Sequence, residues 1–514
     1  MGKYKVLKNV FGYDDFRAGQ AEIIDSILSG RDTLAVMPTG GGKSICFQIP
    51  ALMTEGITVV ISPLVSLMKD QVGALVENGV RAAYINSSLS ESQIFKAIGN
   101  ARLGMYKIIY VAPERLSNPY FRSIFNFQRL SLLCVDEAHC VSQWGQDFRP
   151  SYLEIKRFTD TLSEMPVICA LTATATERVR EDIIRLLGLQ SPFVSVQSFD
   201  RKNLFFSSLK PKSKPKELRR ILDMHKGKSA IVYCSTRKRV DSLYEILSHE
   251  GYSVAKYHAG MDKEDRVESQ DLFIKDKREI MIATNAFGMG IDKSNVYLIV
   301  HYNMPGDIES YYQEAGRAGR DGGTAHCILL HNGQDIVTQR YFIENGEENE
   351  NLTKEEREHF RTVQLRRLNA MADYASSHTC LRKFILNYFG EKAPDDCGFC
   401  GNCGENRKFE DFGEILRGRK PGEKKAPKAY NKIDTAEYDE KLFERLRTLR
   451  KKIADEKGVP AFIVFTDVTL RHMCKIKPVT KEEFITVSGV GGNKLQLYGE
   501  IFTKEIRNYL NLLK

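Results

Sequence analysis

Short apolar runs alternate with amphipathic helical patterns up to about residue 340. The runs are bounded by turn residues and fall into two stretches. In the first they are DTLAVM (32–37), ITVVISP (57–63), KIIYVAP (107–113), LSLLCVDE (130–137) and PVICALTAT (166–174). In the second they are KSAIVYCS (228–235), YSVAKYHA (252–259), EIMIAT (279–284) and VYLIVHY (296–302). Such runs predict strands buried on both faces of a parallel sheet, so the pattern predicts two α/β domains.

The pattern also predicts where these domains and their neighbours begin and end. KPKSKP (210–215) is basic and contains two prolines, which indicates a linker between the two lobes. Helical periodicity replaces the strand pattern over 353–390 and again from about residue 438. The predicted divisions are two α/β lobes, a helical subdomain that contains a cluster of cysteines, a basic linker and a small all-α domain, at residues 1–208, 209–340, 341–406, 407–436 and 437–514.

Composition and charge narrow the class of protein. The chain has 514 residues, of which 27% are charged, 42% are hydrophobic and 16 are Pro, so a disordered or fibrous protein is excluded. The formal charge is +9, and residues 415–514 hold 22 Lys and Arg against 13 Asp and Glu. This basic end suggests a binding site for a polyanion, although a solvated charged surface explains the excess charge as well. No signal-like or membrane-spanning run occurs, which predicts a cytoplasmic protein without a membrane partner.

A glycine-rich loop, MPTGGGKS (37–44), follows the first apolar run and precedes a helical pattern. Its glycines allow backbone amides to face phosphate oxygens, and the helix start adds positive potential. Lys43 is then expected at the β- and γ-phosphates and the Ser44 hydroxyl on Mg²⁺. The other predicted phosphate contacts are Thr39, Gly40 and Gly42.

Two further segments complete a predicted ATP hydrolysis site. Asp136 and Glu137 close a strand in VDEAHC, where the first can hold Mg²⁺ and the second can act as general base for water. In YYQEAGRAGRDG (311–322), Gln313, Arg317 and Arg320 are spaced for neighbouring turns of one helix. An arginine from a second domain stabilises transition-state charge at the γ-phosphate. The alternative for both arginines is a structural ion pair with a nearby carboxylate, Glu309 or Asp321.

Four cysteines cluster with the spacing C-x16-C-x2-C-x2-C. Four thiolates with two short steps are typical of a tetrahedral, structural Zn²⁺ site, in which no position is left for catalysis. An iron–sulfur cluster could use the same ligands and is the alternative. The predicted ligands are Cys380, Cys397, Cys400 and Cys403.

The ordered motifs make the chain similar to the RecQ family of superfamily 2 DNA helicases from about Phe11 to Cys403. They are FGYDDFRAGQ, MPTGGGKS, SPLVSLMKDQ, APERL, DEAH, SQWGQDFRP, LTATAT, IATNAFGMGIDK and QEAGRAGR. The cysteine cluster resembles the RecQ zinc subdomain, and residues 438–514 resemble the HRDC domain that often ends RecQ proteins. The resemblance implies that the two α/β domains are RecA-like parallel-sheet lobes. It also implies ATP-dependent, 3′ to 5′ unwinding of DNA in recombination and repair, with ATP, Mg²⁺ and Zn²⁺ as cofactors.

The resemblance also assigns residues that spacing alone does not. Gln20 is expected to read the adenine edge, and Tyr13 and Arg17 to pack on the base; core packing is the simpler alternative for Tyr13. Asp292 resembles a family position near the nucleotide. In the aromatic-rich loop after DEAH, stacking surfaces and a cation suit single-stranded DNA. The expected DNA contacts are Trp144, Phe148 and Arg149, and the loop has Gln146 where the family usually has His.

The expected partners follow from this assignment. They are single-stranded DNA and duplex junctions, with single-strand-binding or recombination proteins as further candidates. Only 34 residues separate Cys403 from Tyr438, too few for the winged-helix domain that many RecQ proteins carry there. Duplex contacts are then expected from the core, the basic linker or the terminal block, where VSGVGGNKLQLYG (487–499) could offer backbone amides to a phosphate. An ATP-switched DNA-binding or annealing module with little unwinding remains the alternative function.

Overall fold

A computed structural model describes residues 2–145, 147–288, 293, 295–345, 353–403 and 438–512. Their contacts divide the chain into two units, one made of residues up to Gln197 together with the terminal block, and one that begins at Ser198. In the described ranges, no helix combines the length and the apolar character needed to cross a bilayer. The predicted basic linker, 407–436, lies outside the described residues.

The first unit contains a parallel sheet with seven strands in its described part, in the order β3-β4-β2-β5-β6-β1-β7. The strands are β1 (Thr33–Val36), β2 (Ile57–Ile61), β3 (Ala82–Ile85), β4 (Ile108–Val111), β5 (Leu130–Val135), β6 (Val167–Thr172) and β7 (Phe193–Val196). The helices are α1 (Lys3–Val6), α2 (Gln20–Leu28), α3 (Lys43–Met53), α4 (Val65–Glu77), α5 (Glu91–Arg102), α6 (Pro119–Arg122), α7 (Glu154–Thr159) and α8 (Glu177–Leu187). A π-helical turn covers Leu7–Phe11, and 3₁₀ turns cover Pro113–Ser117, Ser123–Asn126, Ala138–Val141 and Pro150–Leu153.

The second unit repeats this architecture with a parallel sheet in the order β10-β11-β9-β12-β13-β8. Its strands are β8 (Leu204–Leu209), β9 (Ser229–Tyr233), β10 (Val254–Tyr257), β11 (Ile280–Ala283), β12 (Val296–His301) and β13 (Ala325–Leu330). Its helices are α9 (Lys214–Met224), α10 (Arg237–His249), α11 (Lys263–Ile274), α12 (Ile308–Ala315), α13 (Gly333–Asn345), α14 (Lys354–Ala375) and α15 (Leu381–Tyr388). The predicted pair of parallel-sheet lobes followed by a helical subdomain is therefore confirmed.

Strands in the interior of both sheets are apolar and buried. Every residue of β1, β2 and β4 is buried, as expected for strands covered by helices on both faces. By contrast, β7 alternates half-buried and exposed residues because it forms an edge of the first sheet. This strand lacks a continuous apolar run, which is why the sequence pattern did not predict it.

The terminal block is helical, as predicted. Its helices are α16 (Glu440–Lys457), α17 (Ala461–Val464), α18 (Asp467–Ile476), α19 (Lys481–Phe484) and α20 (Gly492–Asn511). They enclose an apolar core of their own that includes Phe465, Phe484 and Phe502, whose rings contact one another. A buried ion pair joins Arg450 to Asp467 at 2.7 Å inside the block.

The predicted boundary between the lobes is wrong. Strand β8 pairs with β13 of the second sheet, so the second lobe begins before residue 209. The segment 210–215 contains the loop after β8 and the first two residues of α9, so it lies inside that lobe and does not link the lobes. Lys214 shows why its charge misled the prediction, because its ammonium group is buried and contacts Asp335 at 2.7 Å.

Candidate nucleotide site and metal centre

The phosphate loop lies between the end of β1 and the start of α3. Gly40 and Gly42 have φ angles of +80° and +83°, which only glycine adopts without strain. The Gly41 amide donates to the Pro38 carbonyl at 2.9 Å, closing the turn that leads into the helix. Lys43 and Ser44 are the first two residues of α3, where unpaired amides and the helix dipole favour an anion.

The segment expected to read adenine is bonded to this loop. The Gln20 side chain is buried, and its amide nitrogen donates to the carbonyls of Gly41 and Gly42 at 3.3 and 3.0 Å. The Arg17 guanidinium donates to the Gly40 carbonyl at 2.5 Å, and its backbone amide donates to the Gln20 side-chain oxygen. Hydrogen bonds therefore connect the predicted base-reading residues directly to the phosphate loop, while Tyr13 is exposed.

Asp136 and Glu137 follow the end of β5 in the centre of the first sheet. Burial, and then the charge of Glu137, raise the pKa of Asp136 to about 7, against the opposing charge of Lys43. The Tyr152 hydroxyl donates to the Asp136 carbonyl at 2.9 Å and fixes the backbone there. A cation at the carboxylate would compensate for both the burial and the neighbouring charge, so these residues fit a Mg²⁺ ion bound with ATP.

His139 connects Glu137 to the end of β6. Its Nδ1 lies 2.8 Å from the Thr172 hydroxyl and 3.4 Å from a Glu137 carboxylate oxygen. Burial is the largest cause of a lowered pKa for this imidazole, which favours its neutral form. The Thr172 hydroxyl in turn contacts the backbone of Thr174, so the DEAH and LTATAT motifs form one hydrogen-bonded unit.

In the aromatic-rich loop a guanidinium group lies over the tryptophan ring, but it belongs to Arg178 and not to Arg149, which was expected there. The Arg178 guanidinium lies 3.1 Å from the centroid of the Trp144 ring. Arg149 instead forms two hydrogen bonds to Asp147, at 2.9 and 2.8 Å, and one to the Pro63 carbonyl. Phe148 is half-buried in the same loop, and Gln146 lies outside the described residues.

In the second lobe, the three residues expected on one helix are separated by its end. Helix α12 ends at Ala315, so Gln313 is helical while Arg317 and Arg320 lie in the turns that follow. Arg317 is buried and donates to the Gly288 carbonyl. A Cβ atom on Gly288 would lie 2.6 Å from the Arg317 Nε, which explains this glycine and its φ of +125°.

Arg320 is half-buried, and the two carboxylates considered as its partners have other contacts. Glu309 lies 3.5 Å from Arg367, and Asp321 accepts a hydrogen bond from the Tyr297 hydroxyl at 3.1 Å. Asp292 lies outside the described residues.

The four predicted zinc ligands come together at the start of α15. Their sulfur atoms all lie within 4.8 Å of one another and all four residues are buried. Cys380 caps the helix by accepting from the Lys383 amide, and Cys397 accepts from the Phe399 amide. This donor set fits a tetrahedral Zn²⁺ ion, which would link the short helix to the loop 396–403.

The glycine turn of the terminal block contacts the first lobe. The Gly489 amide donates to the Gly12 carbonyl at 2.9 Å, and a Cβ atom on Gly491 would lie 2.5 Å from the Val10 carbonyl oxygen. Beside the turn, the Glu77 carboxylate accepts from the Tyr498 hydroxyl at 2.7 Å and lies 3.4 Å from the Lys457 ammonium. The turn that could offer amides to DNA is thus held against the first lobe, through what we call the docking contact.

Sequence reasoning missed several residues that organise the site. They are Tyr152, Arg178, His139 and Thr172. The last two lie within quoted motifs, so their motif position was the available signal. Nothing in the local sequence pairs Arg178 with Trp144, because that contact depends on how α8 packs.

Comparisons with known proteins agree with this arrangement. Four families match consecutive parts of the chain: DEAD/DEAH box helicase (17–183), helicase conserved C-terminal domain (213–322), RecQ zinc-binding (333–404) and HRDC domain (439–506). The ATP-dependent DNA helicase RecQ of Bacillus subtilis is 40% identical, with 99% of this chain and 98% of that protein covered. The protein of the same name from Pasteurella multocida is 36% identical, with 99% and 94% covered.

A solved structure shows the same fold at lower sequence similarity. Dbp5 of S. cerevisiae, bound to RNA and ADP BeF3, is 18% identical and superimposes with a TM-score of 0.54, covering 70% of this chain and 96% of its own. The alignment with the Bacillus subtilis protein spans 591 positions, more than the 514 residues of this chain. That relative therefore carries residues that have no counterpart here.

Proposed function

We propose how this chain, which belongs to the RecQ family of ATP-dependent DNA helicases, couples hydrolysis to movement along DNA. In this proposal the phosphate loop binds ATP, with Lys43 at the β- and γ-phosphates and the base near Gln20, Tyr13 and Arg17. Ser44 and Asp136 hold Mg²⁺, which neutralises phosphate charge when it is bound.

Glu137 is the proposed general base for the attacking water. Its carboxylate lies at the end of a central strand and is next to the buried His139 imidazole, whose pKa is lowered by burial. Arg320 is assigned to the transition-state charge, and Gln313 to the nucleotide. The buried contact of Arg317 with the Gly288 carbonyl supports a role in holding the turn rather than touching phosphate.

The observation that carries the coupling is the short connection from Glu137 to Trp144. The 3₁₀ turn Ala138–Val141 joins them, and His139 within it contacts both Glu137 and Thr172. We assign Trp144 and Phe148 to stacking on single-stranded DNA. DNA that stacks on these rings would shift the 3₁₀ turn, and the Glu137 carboxylate would move with it. Arg178 adds positive charge at the same ring. Arg149 holds the loop through Asp147.

Movement from 3′ to 5′ along DNA and a role in recombination or repair complete the proposal. Partial duplexes with a 3′ or a 5′ single-stranded tail test the direction: unwinding is expected with the 3′ tail only. Equal unwinding of both, or of the 5′ tail alone, would contradict it. Binding and annealing without strand displacement would favour an ATP-switched module instead.

The nucleotide assignments are tested by two substitutions with different expected effects. Lys43→Ala should abolish hydrolysis with and without DNA, since the phosphates lose their cation. Trp144→Ala should remove DNA stimulation while the DNA-independent rate is retained, because only the sensing ring is lost. Arg219→Gln, at a surface ion pair with Glu250, is the matched control and should change neither rate. Full DNA stimulation in Trp144→Ala would contradict the coupling.

A further inference from the structure

A short segment at the start of the second unit, residues 198–204, lies between the zinc subdomain and the turn that carries the arginines. On its zinc side, the buried Arg382 donates to Asp200 at 2.5 Å and to the carbonyls of Arg201 and Leu204 at 2.8 and 2.6 Å. The Phe199 ring stacks on Phe389, with centroids 4.4 Å apart and planes 11° apart. We call residues 198–204 the bracket segment.

Further contacts tie the bracket segment to the zinc subdomain. The Glu391 carboxylate accepts from the Ser198 hydroxyl at 2.5 Å and from the Phe199 amide at 2.8 Å. Arg382 is the second residue of the helix that Cys380 caps. The position of the bracket segment therefore depends on the subdomain that the four cysteines organise.

On its other side, the bracket segment bonds the end of α12 and the following turn. The Arg201 guanidinium donates to the carbonyls of Gly316, Ala318 and Gly319 at 3.2, 3.0 and 3.1 Å. The Asn203 amide donates to the carbonyls of Gly319 and Gly323, both at 2.8 Å. Carbonyls at a helix end lack partners within the helix, and a cation there is favourable.

These carbonyls alternate with the arginines along the chain. Gly316 and Ala318 flank Arg317, and Gly319 precedes Arg320. The turn whose carbonyls accept hydrogen bonds from Arg201 is therefore the turn that carries both arginines. The turn has little freedom, since a Cβ atom on Gly319 would lie 2.4 Å from the Asn203 side chain. Without these donors, several buried carbonyls would lose their partners and the turn would rearrange to find others.

We infer that Arg201 and Asn203 are positioning residues for ATP hydrolysis, which set the place of Arg320 from the zinc side of the second lobe. The inference rests on the proposed role of Arg320 at the nucleotide. An arginine that stabilises transition-state charge acts only within a narrow range of positions, and a displacement of about 1 Å can cost about 100-fold in rate. Arg201 and Asn203 act on Arg320 only through the turn and are not proposed to contact the nucleotide.

The test measures ATP hydrolysis at saturating DNA in Arg201→Gln, Arg320→Ala and the double variant. Arg201→Gln is expected to lower kcat about 10- to 100-fold with little change in the KM for ATP. In the Arg320→Ala background it should lower kcat no further, because the arginine that it positions is already absent. Arg219→Gln removes a different guanidinium group of the same lobe and should leave kcat and KM unchanged.

Hydrogen exchange supplies a readout that does not depend on activity. The Gly322 amide donates to the Gly319 carbonyl at 3.1 Å, so peptides covering 316–323 should exchange faster in Arg201→Gln and not in Arg219→Gln. Zinc content should stay at one ion per chain, which shows that the variant is folded. If Arg201→Gln loses zinc, Asn203→Ala decides the question, since it removes hydrogen bonds to the turn and leaves Arg382 in place.

Each outcome bears on a different statement. An unchanged kcat in both Arg201→Gln and Asn203→Ala overturns the inference, and so does an equal loss caused by Arg201→Gln with and without Arg320. If Arg320→Ala alone keeps full activity, the proposed role of Arg320 fails, and the inference fails with it for that separate reason.

Discussion

Replacing Glu77 with Gln tests how firmly the docking contact holds the terminal block on the first lobe. Glu77 is the last residue of α4, where an acidic side chain opposes the helix dipole and is unfavourable on its own. Its carboxylate is 17% exposed and accepts from the Tyr498 hydroxyl at 2.7 Å. The residue therefore stabilises the docked state at the expense of its own helix.

The size of the effect follows from these contacts. A hydrogen bond to a charged group contributes about 1.5–3 kcal/mol. The pair with Lys457, whose side chain is 36% exposed, adds less than about 1 kcal/mol. Glutamine keeps an acceptor but removes the charge, so a loss of about 1.5–2 kcal/mol is expected. This loss weakens docking about 10- to 30-fold.

Exchange of the Gly489 amide measures docking directly, because that N–H donates to Gly12 across the contact. Exchange should be about 10- to 30-fold faster in Glu77→Gln, with amides inside the core of the terminal block unchanged. Glu500→Gln is the matched control, since Glu500 is 81% exposed and lies 3.9 Å from Lys481 on the same block. Unchanged exchange at Gly489 in Glu77→Gln, or equal acceleration in the control, would refute the reasoning.

Four further outcomes are expected. Asp335→Asn leaves the Lys214 charge buried and should cost the second lobe about 3–5 kcal/mol in urea unfolding. Lys214→Met in the Asp335→Asn background should restore part of that loss, because no unpaired charge is then buried and the asparagine oxygen still accepts from Asn303. Cys397→Ser should reduce bound zinc from one ion per chain to none, measured by elemental analysis; retained zinc would contradict the ligand set. Burial lowers the pKa of Lys494 to about 8, below its usual value, so the folded terminal block loses this proton at a lower pH than the unfolded chain does. Its stability should rise between about pH 8 and pH 10, and Lys494→Met should remove that rise in pH-dependent unfolding. Glu137→Gly and Glu137→Gln should both abolish hydrolysis, but the glycine variant should melt about 2–4 °C higher because it removes about 1 kcal/mol of backbone strain.

The central strands and the cysteine cluster could be predicted because their signals are local. Strands such as β2 and β5 are apolar except for one hydroxyl residue each, Thr58 and Ser131, and two of the cysteine spacings lie within one short loop. The edge strands β3 (Ala82–Ile85) and β7 (Phe193–Val196) were missed because their signals are weak. β3 is only four residues long and is half-buried at its centre, and β7 contains Ser195 and alternates half-buried and exposed residues. In β13, AHCILL carries the same signal as the predicted runs and could have been found.

The charged residues were harder to place, because the same side chain serves different purposes in different surroundings. Arg149 was expected beside DNA and binds Asp147, whereas Lys214 was expected in a solvated linker and is buried. Arg382 and Arg201 belong to no quoted motif, yet they bond backbone carbonyls far along the chain. Their partners are set by tertiary packing, which neither periodicity nor spacing encodes.

The backbone at Glu137 indicates why the site is built from several segments. Its φ of +46° is unusual for a residue with a side chain, and such strain persists only where the surroundings hold it. Here the Glu137 amide donates to Asp136 at 3.0 Å, the Tyr152 hydroxyl holds the Asp136 carbonyl, and His139 is fixed by Thr172. Each support comes from a different part of the first lobe. A shift in any of them would therefore move the carboxylate, which is what the proposed coupling of hydrolysis to DNA binding at Trp144 requires.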